Sequence, residues 1–197
     1  MGQHTYCVDV NMLIANFLIR CLLVASVAAL AASPALAAGS AFDAASLEAG
    51  SGPKVRMVRI GAQSQWEKQW FVSNGTHLSG YWDLSLGQWR ASAYRNMPGQ
   101  HQDITNVGFT PVLRFQADDK QGWYAEGGIG LNLLSKRYDN DGHQMSTHFQ
   151  FGDHLGAGYV FANRWELGMK LQHFSNGGYK KPNSGANFVI LKVARPF

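Results

Sequence analysis

The chain has 197 residues, a formal net charge of +4 and only two cysteines. Its length suits a single domain. The charge is small and forms no basic run, which argues against a nucleic-acid partner and is compatible with an anionic lipid surface.

The first predicted element is a leader. Arg20 precedes an apolar run, Cys21 to Ala32, and Ser33-Pro34-Ala35-Leu36-Ala37 then supplies a small-x-small cleavage pattern. Together they read as a secretory signal peptide over residues 1–37, too short for a membrane-spanning helix. Met12 serves as a start as well as Met1, because Met1 to Asn11 adds nothing a signal needs. Cleavage after Ala37 leaves a mature domain of residues 38–197 and removes both Cys7 and Cys21. An exported domain without cysteine must be stable without disulfides, and thiolate catalysis and thiolate metal sites are excluded.

Beyond the leader no segment shows helical periodicity, whereas period-2 alternation recurs. Eight strands are predicted, over roughly 41–50, 55–66, 78–90, 102–116, 123–134, 147–161, 164–177 and 187–197. In the fourth, Val107, Phe109, Pro111, Leu113 and Phe115 alternate with Asn106, Gly108, Thr110 and Arg114. In the fifth, Trp123, Ile129, Leu131 and Leu133 oppose Glu126, Gly128, Gly130 and Asn132. In the sixth, Phe149, Phe151, Leu155 and Tyr159 oppose His148, Gln150, His154, Gly156 and Gly158. The seventh sets Trp165, Leu167, Met169 and Leu171 against Glu166, Lys170 and Gln172.

A soluble sandwich would carry more charge on its outer face. Small and polar residues inside with apolar ones outside predict an all-β fold, an eight-stranded antiparallel transmembrane β-barrel. Trp66, Trp70, Trp82, Trp89, Trp123 and Trp165 stand near strand ends, as interfacial girdles do. His148 and His154, with Glu126 and Lys170, are expected to fill a polar lumen rather than bind metal, because no ligand spacing is recognisable. Gly156 and Gly158 are expected to permit curvature or a lumen-filling neighbour.

Barrels of this kind keep their termini and short turns in the periplasm and their longer loops outside. Ala162-Asn163-Arg164 is a short turn, whereas 135–146 and 177–186 are longer polar connections. The seventh strand therefore runs outward, and its apolar row Leu167, Met169, Leu171 continues into His173 and Ser175. Both are expected to face lipid at outer-leaflet height. Their backbones lie roughly 6.6 Å apart on one face, a gap an imidazole can span to reach the hydroxyl. A serine nucleophile needs that from its base.

The surrounding motif is more specific than the pair. His173-Phe174-Ser175-Asn176-Gly177-Gly178, followed by Lys181-Pro182-Asn183, resembles the outer-membrane lipid A 3-O-deacylases, the PagL family. Gly80-Tyr81-Trp82-Asp83, Glu126-Gly127-Gly128-Ile129-Gly130 and Gly152-Asp153-His154-Leu155-Gly156-Ala157-Gly158 extend the resemblance, in order, over most of the mature chain. The resemblance implies hydrolysis of the ester-linked 3-position acyl chain of lipid A in the bacterial outer membrane, without cofactor or metal. It implies Ser175 as nucleophile, His173 as base, and Asn176 and Asn183 at the oxyanion hole. The family's glutamate, fourteen positions after the histidine, is here Asn187. An asparagine can orient the imidazole but cannot stabilise imidazolium by charge. Asp153 is the alternative acid, because a hairpin centred on Asn163 places it opposite His173.

Two other classes remain open at this point. One is a non-enzymatic structural or adhesive eight-stranded barrel, which has no reason to tolerate a polar pair facing lipid. The other is an outer-membrane phospholipase; those use serine and histidine in larger barrels, usually with calcium, and no acidic calcium cluster is apparent here. The expected partner is lipopolysaccharide in the outer membrane, and a homodimer is left open.

Overall fold

In a computed structural model, residues 41–197 are described. The signal peptide and its cleavage point lie outside them. Eight strands close into a barrel: β1 (Ala44–Gly52), β2 (Val55–Gln65), β4 (Thr76–Ala91), β5 (Gln102–Ala117), β6 (Gly122–Leu134), β9 (Phe149–Val160), β10 (Glu166–Ser175) and β11 (Ala186–Pro196). Every pairing is antiparallel between chain neighbours, β1 meets β11, and β2 meets β4. Three short strands were not foreseen. β3 (Trp70–Ser73) pairs with the start of β4, and β7 (Asp139–Asn140) pairs with β8 (His143–Gln144) inside a long loop. Two- and four-residue strands leave almost no periodicity to detect.

The strands are staggered. Hydrogen-bonded neighbours lead from Ser51 of β1 through Val189, Leu171, Leu155, Gly127, Leu113 and Gly80 to Trp66, whose N–H donates to the Gly80 carbonyl. Ser51 also pairs directly with Arg56, ten residues from Trp66. That offset is the shear, and it tilts every strand against the barrel axis. One end carries the start of β1, the C-terminus and the turn at 161–165; the other carries the longer connections 92–101, 135–148 and 176–185.

Charge sits inside and hydrocarbon outside, as the alternation predicts. Leu113, Ile129, Leu155, Leu171 and Val189 are exposed on the outer wall. In the lumen Arg114 binds Glu126 (2.6 Å) and Glu166 (2.8 Å), and Lys192 binds Glu166 (2.8 Å). Arg59 and Lys170 share Glu48. Buried charges need such partners, since an unpaired one costs several kcal/mol. A Cβ on Gly158 or Gly168 would stand 2.3 Å from the Tyr124 hydroxyl, so these glycines give Tyr124 its space.

Toward the loop end the lumen changes to an apolar plug of Val55, Met57, Trp89, Ile104, Leu134, Phe174, Phe188 and Ile190 among others. Trp89 is a correction to the expected girdle. It occupies an inward position on β4 and packs on Phe174 (4.7 Å between ring centroids) and Phe188 (4.9 Å). Strand-end location marks a girdle tryptophan only when the outward face is also the one occupied. His148 is a second correction: it is exposed at the loop-end rim, bonded to the Leu134 carbonyl (2.8 Å), while His154 is buried as expected.

Candidate active site

The plug fixes what stands on the wall outside it. Phe174 is fully buried between Trp89 and Phe188. In a strand that inward anchor sends both neighbours, His173 and Ser175, to the outer face. Phe188 does the same for Asn187 on β11. The register places His173 between Asn187 on one side and Asp153 of β9 on the other. Three of the expected residues thus share one outer row, with Ser175 one pleat nearer the loop end.

Of the two candidate orienting groups, Asn187 makes the contact. His173 Nδ1 lies 2.6 Å from Asn187 Oδ1. Asn187 has no ionised state at that oxygen, so the imidazole is the donor and carries its proton on Nδ1. In the neutral ring this tautomer leaves Nε2 with its lone pair, the form a general base needs. Asp153 is half-buried across the other flank, where its carbonyl accepts from the Gln172 amide (3.1 Å). Among the described residues no hydrogen bond joins His173 to Ser175; such contacts often tighten only when substrate is bound.

The turn after Ser175 is held by its asparagines. Asn176 is buried and its amide donates to the Lys180 carbonyl (2.7 Å) and the Ser146 hydroxyl (3.4 Å), while its Oδ1 accepts from the Gly178 N–H (3.0 Å). The backbone N–H of Asn176 donates to Asn183 Oδ1 (3.0 Å). This bond ties the two arms of the 176–185 connection together. Gly177, at φ +66°, turns its own N–H toward Ser175 Oγ (3.4 Å).

Gly185 is a site residue that the motif reading missed. At φ +72°, a Cβ there would stand 2.5 Å from His173 Cε1 and 3.2 Å from Nε2. The imidazole therefore rests against bare backbone. The available signal was the hairpin register, which puts residue 185 one step beyond the Phe174–Ala186 pair.

Fold and site together define a membrane-type eight-stranded barrel that carries a Ser, His and Asn group on its outer wall. Residues 56–196 match the family model for lipid A 3-O-deacylase (PagL). The chain is 30% identical over 171 residues to lipid A deacylase PagL of Pseudomonas aeruginosa, covering 86% of this chain and 95% of that one. It is 30% identical over 154 residues to lipid A deacylase PagL of Bordetella bronchiseptica, covering 77% and 82% respectively. The crystal structure of the outer membrane enzyme PagL superposes with a TM-score of 0.68 at 26% identity, over 78% of this chain and 99% of that one. The chain belongs to the lipid A 3-O-deacylase (PagL) family.

Proposed function

We propose that this protein is an outer-membrane esterase that removes the 3-position acyl chain of lipid A through a serine nucleophile at Ser175. The observation that carries the reading is the outward projection of His173 and Ser175 at the end of an exposed apolar row, with Asn187 holding the imidazole by Nδ1. An ester embedded in a bilayer meets a barrel only from the side, so only an outward pair can reach it. With the termini in the periplasm, the loop end of β10 stands at outer-leaflet height, where lipid A sits.

His173 Nε2 takes the Ser175 proton as Oγ attacks the acyl carbonyl, and the tetrahedral oxyanion forms. The same proton passes to the sugar oxygen as that bond breaks, leaving the acyl group on Ser175. Water, deprotonated by His173, then attacks the acyl carbon; the bond from Ser175 Oγ to the acyl group breaks, Oγ takes the proton back from His173, and the fatty acid leaves. Asn187 fixes the ring throughout, while Asp153 stands opposite it on β9 and forms no ion pair with the ring among the described residues. The Asn183 amide nitrogen, which has no hydrogen-bond partner among the described residues, is the donor offered to the oxyanion, and the Gly177 N–H, which lies on Ser175 Oγ at 3.4 Å, stands beside it. Asn176 supports them by holding the turn. Each oxyanion donor in such sites contributes about 3–4 kcal/mol.

The test is mass spectrometry of lipid A from cells with and without the protein. Loss of one 3-hydroxy acyl chain only where the active protein is present supports the reading. Unchanged lipid A alongside folded protein refutes it.

A further inference from the structure

The outer wall carries a second polar feature that the chemistry above does not use. Arg56 of β2 and Arg90 of β4 are exposed on the outer face and pair directly across the ladder. Directly opposed like charges destabilise a sheet. Asp103 faces Arg90 from β5, yet among the described residues neither guanidinium forms an ion pair or hydrogen bond. The nearest turn cation, Lys54, is already bound to Asp141 (2.6 Å). Just below the arginines begins the exposed apolar wall of Val58, Ile60 and Leu86. Two guanidinium groups side by side at a hydrocarbon edge match a phosphate held at the membrane surface, because each can offer a bidentate fork to its oxygens.

Position connects this pair to the active site. Arg56 pairs with Ser51 of β1, and Ser51 with Val189 of β11, two residues from Asn187. From β10 to β2 is three strand spacings, roughly 14 Å along the wall. The stagger lifts each hydrogen-bonded row by about one and a quarter residues per strand on that path, which brings Arg56 level with Ser175. A disaccharide headgroup lying flat on the wall would span this distance, with its ester at Ser175 and a phosphate at the arginines.

We infer that Arg56 and Arg90 form a phosphate-binding site for the headgroup of the lipid A substrate, and so help to align the scissile ester with Ser175. The inference rests on the proposed deacylation. The experiment is deacylation by purified Arg56→Gln/Arg90→Gln and parent proteins in mixed micelles, using lipid A with its phosphates and the same lipid A after phosphatase treatment. In parallel, binding of both lipids and of phosphatidylglycerol is measured on the Ser175→Ala background.

The account expects KM for phosphorylated lipid A to rise about tenfold more than KM for the dephosphorylated form. It expects the matching loss of binding to be selective for phosphorylated lipid A. Equal changes on both forms of lipid A, or none, would overturn the assignment. Equal weakening toward phosphatidylglycerol would also overturn it, by showing a general anionic-lipid contact. If the parent protein deacylates neither form, the proposed function fails; if it deacylates and the arginine variant behaves like it, only this inference fails.

Discussion

The barrel contains the His-x-Ser spacing twice, and the two copies have opposite fates. His77 and Ser79 of β4 point into the lumen near the terminus end. His77 is fully buried, with Nδ1 3.0 Å from Asp118 Oδ1 and Nε2 3.2 Å from Gln116 Nε2. Ser79 donates to the carbonyls of Lys68 (3.1 Å) and Trp66 (3.4 Å). Every polar atom there has a structural partner. His173 and Ser175 point outward, with Nδ1 bound to Asn187 and Nε2 uncommitted beside Gly185. The inner copy even has a carboxylate on its histidine, which the outer copy lacks. What separates the two copies is therefore neither spacing nor an acid but the face of the strand and a nitrogen without a partner.

The largest effects are expected at the outer pair. Ser175→Ala, His173→Ala and the double variant should each lose about 10⁴-fold or more of the deacylation rate, with the double no worse than the singles, because the two act as one unit. All three should still show heat-modifiable migration on gels, the mark of a folded barrel. Additive losses in the double variant would show that the residues act separately.

Next comes the orienting group. Asn187→Ala should lower the rate by about 10²-fold, the scale of a misplaced catalytic group, and Asn187→Glu should keep or raise it. A larger loss for Asp153→Asn than for Asn187→Ala, at matched folded amounts, would transfer the role to the carboxylate.

Gly185→Ala should follow, lowering the rate by up to about 10²-fold. The new methyl displaces the imidazole, and the left-handed backbone adds about 1 kcal/mol of destabilisation. Normal kinetics with normal stability would mean that the ring is not seated on this glycine.

The smallest effect is expected at the inner copy. Ser79→Ala removes hydrogen bonds with a net contribution of about 1 kcal/mol, and should leave the rate within about threefold of the parent while lowering thermal stability. A large loss of rate would erase the distinction between the two copies.

Much of this was legible in the chain because a barrel reports itself through alternation. Leu167, Met169 and Leu171 announced the outward face of β10, and extending that row by two steps placed His173 and Ser175 correctly. The same rule located Asp153 opposite His173. What alternation does not encode is which neighbour a side chain chooses. Asp153 and Asn187 both flank His173, and only coordinates separate them. Trp89 was misassigned because a strand end says nothing about face. The plug it anchors was invisible because it draws one to three residues from each of six strands and two from a single loop. Gly185 was missed because an absent side chain leaves no pattern, only room. Arg56 and Arg90 lie 34 positions apart in the chain, and only the barrel's register brings them together.

The central claim is that the outward pair, and not the inward one, carries the reaction. It is tested most directly by treating the folded protein in micelles with a lipophilic fluorophosphonate, then mapping the adduct by peptide mass spectrometry while following lipid A deacylation. The account predicts a single adduct on Ser175 that appears in step with loss of activity, disappears in His173→Ala, and persists in Ser79→Ala. Loss of activity with Ser175 unmodified, or full activity with Ser175 fully modified, would contradict it.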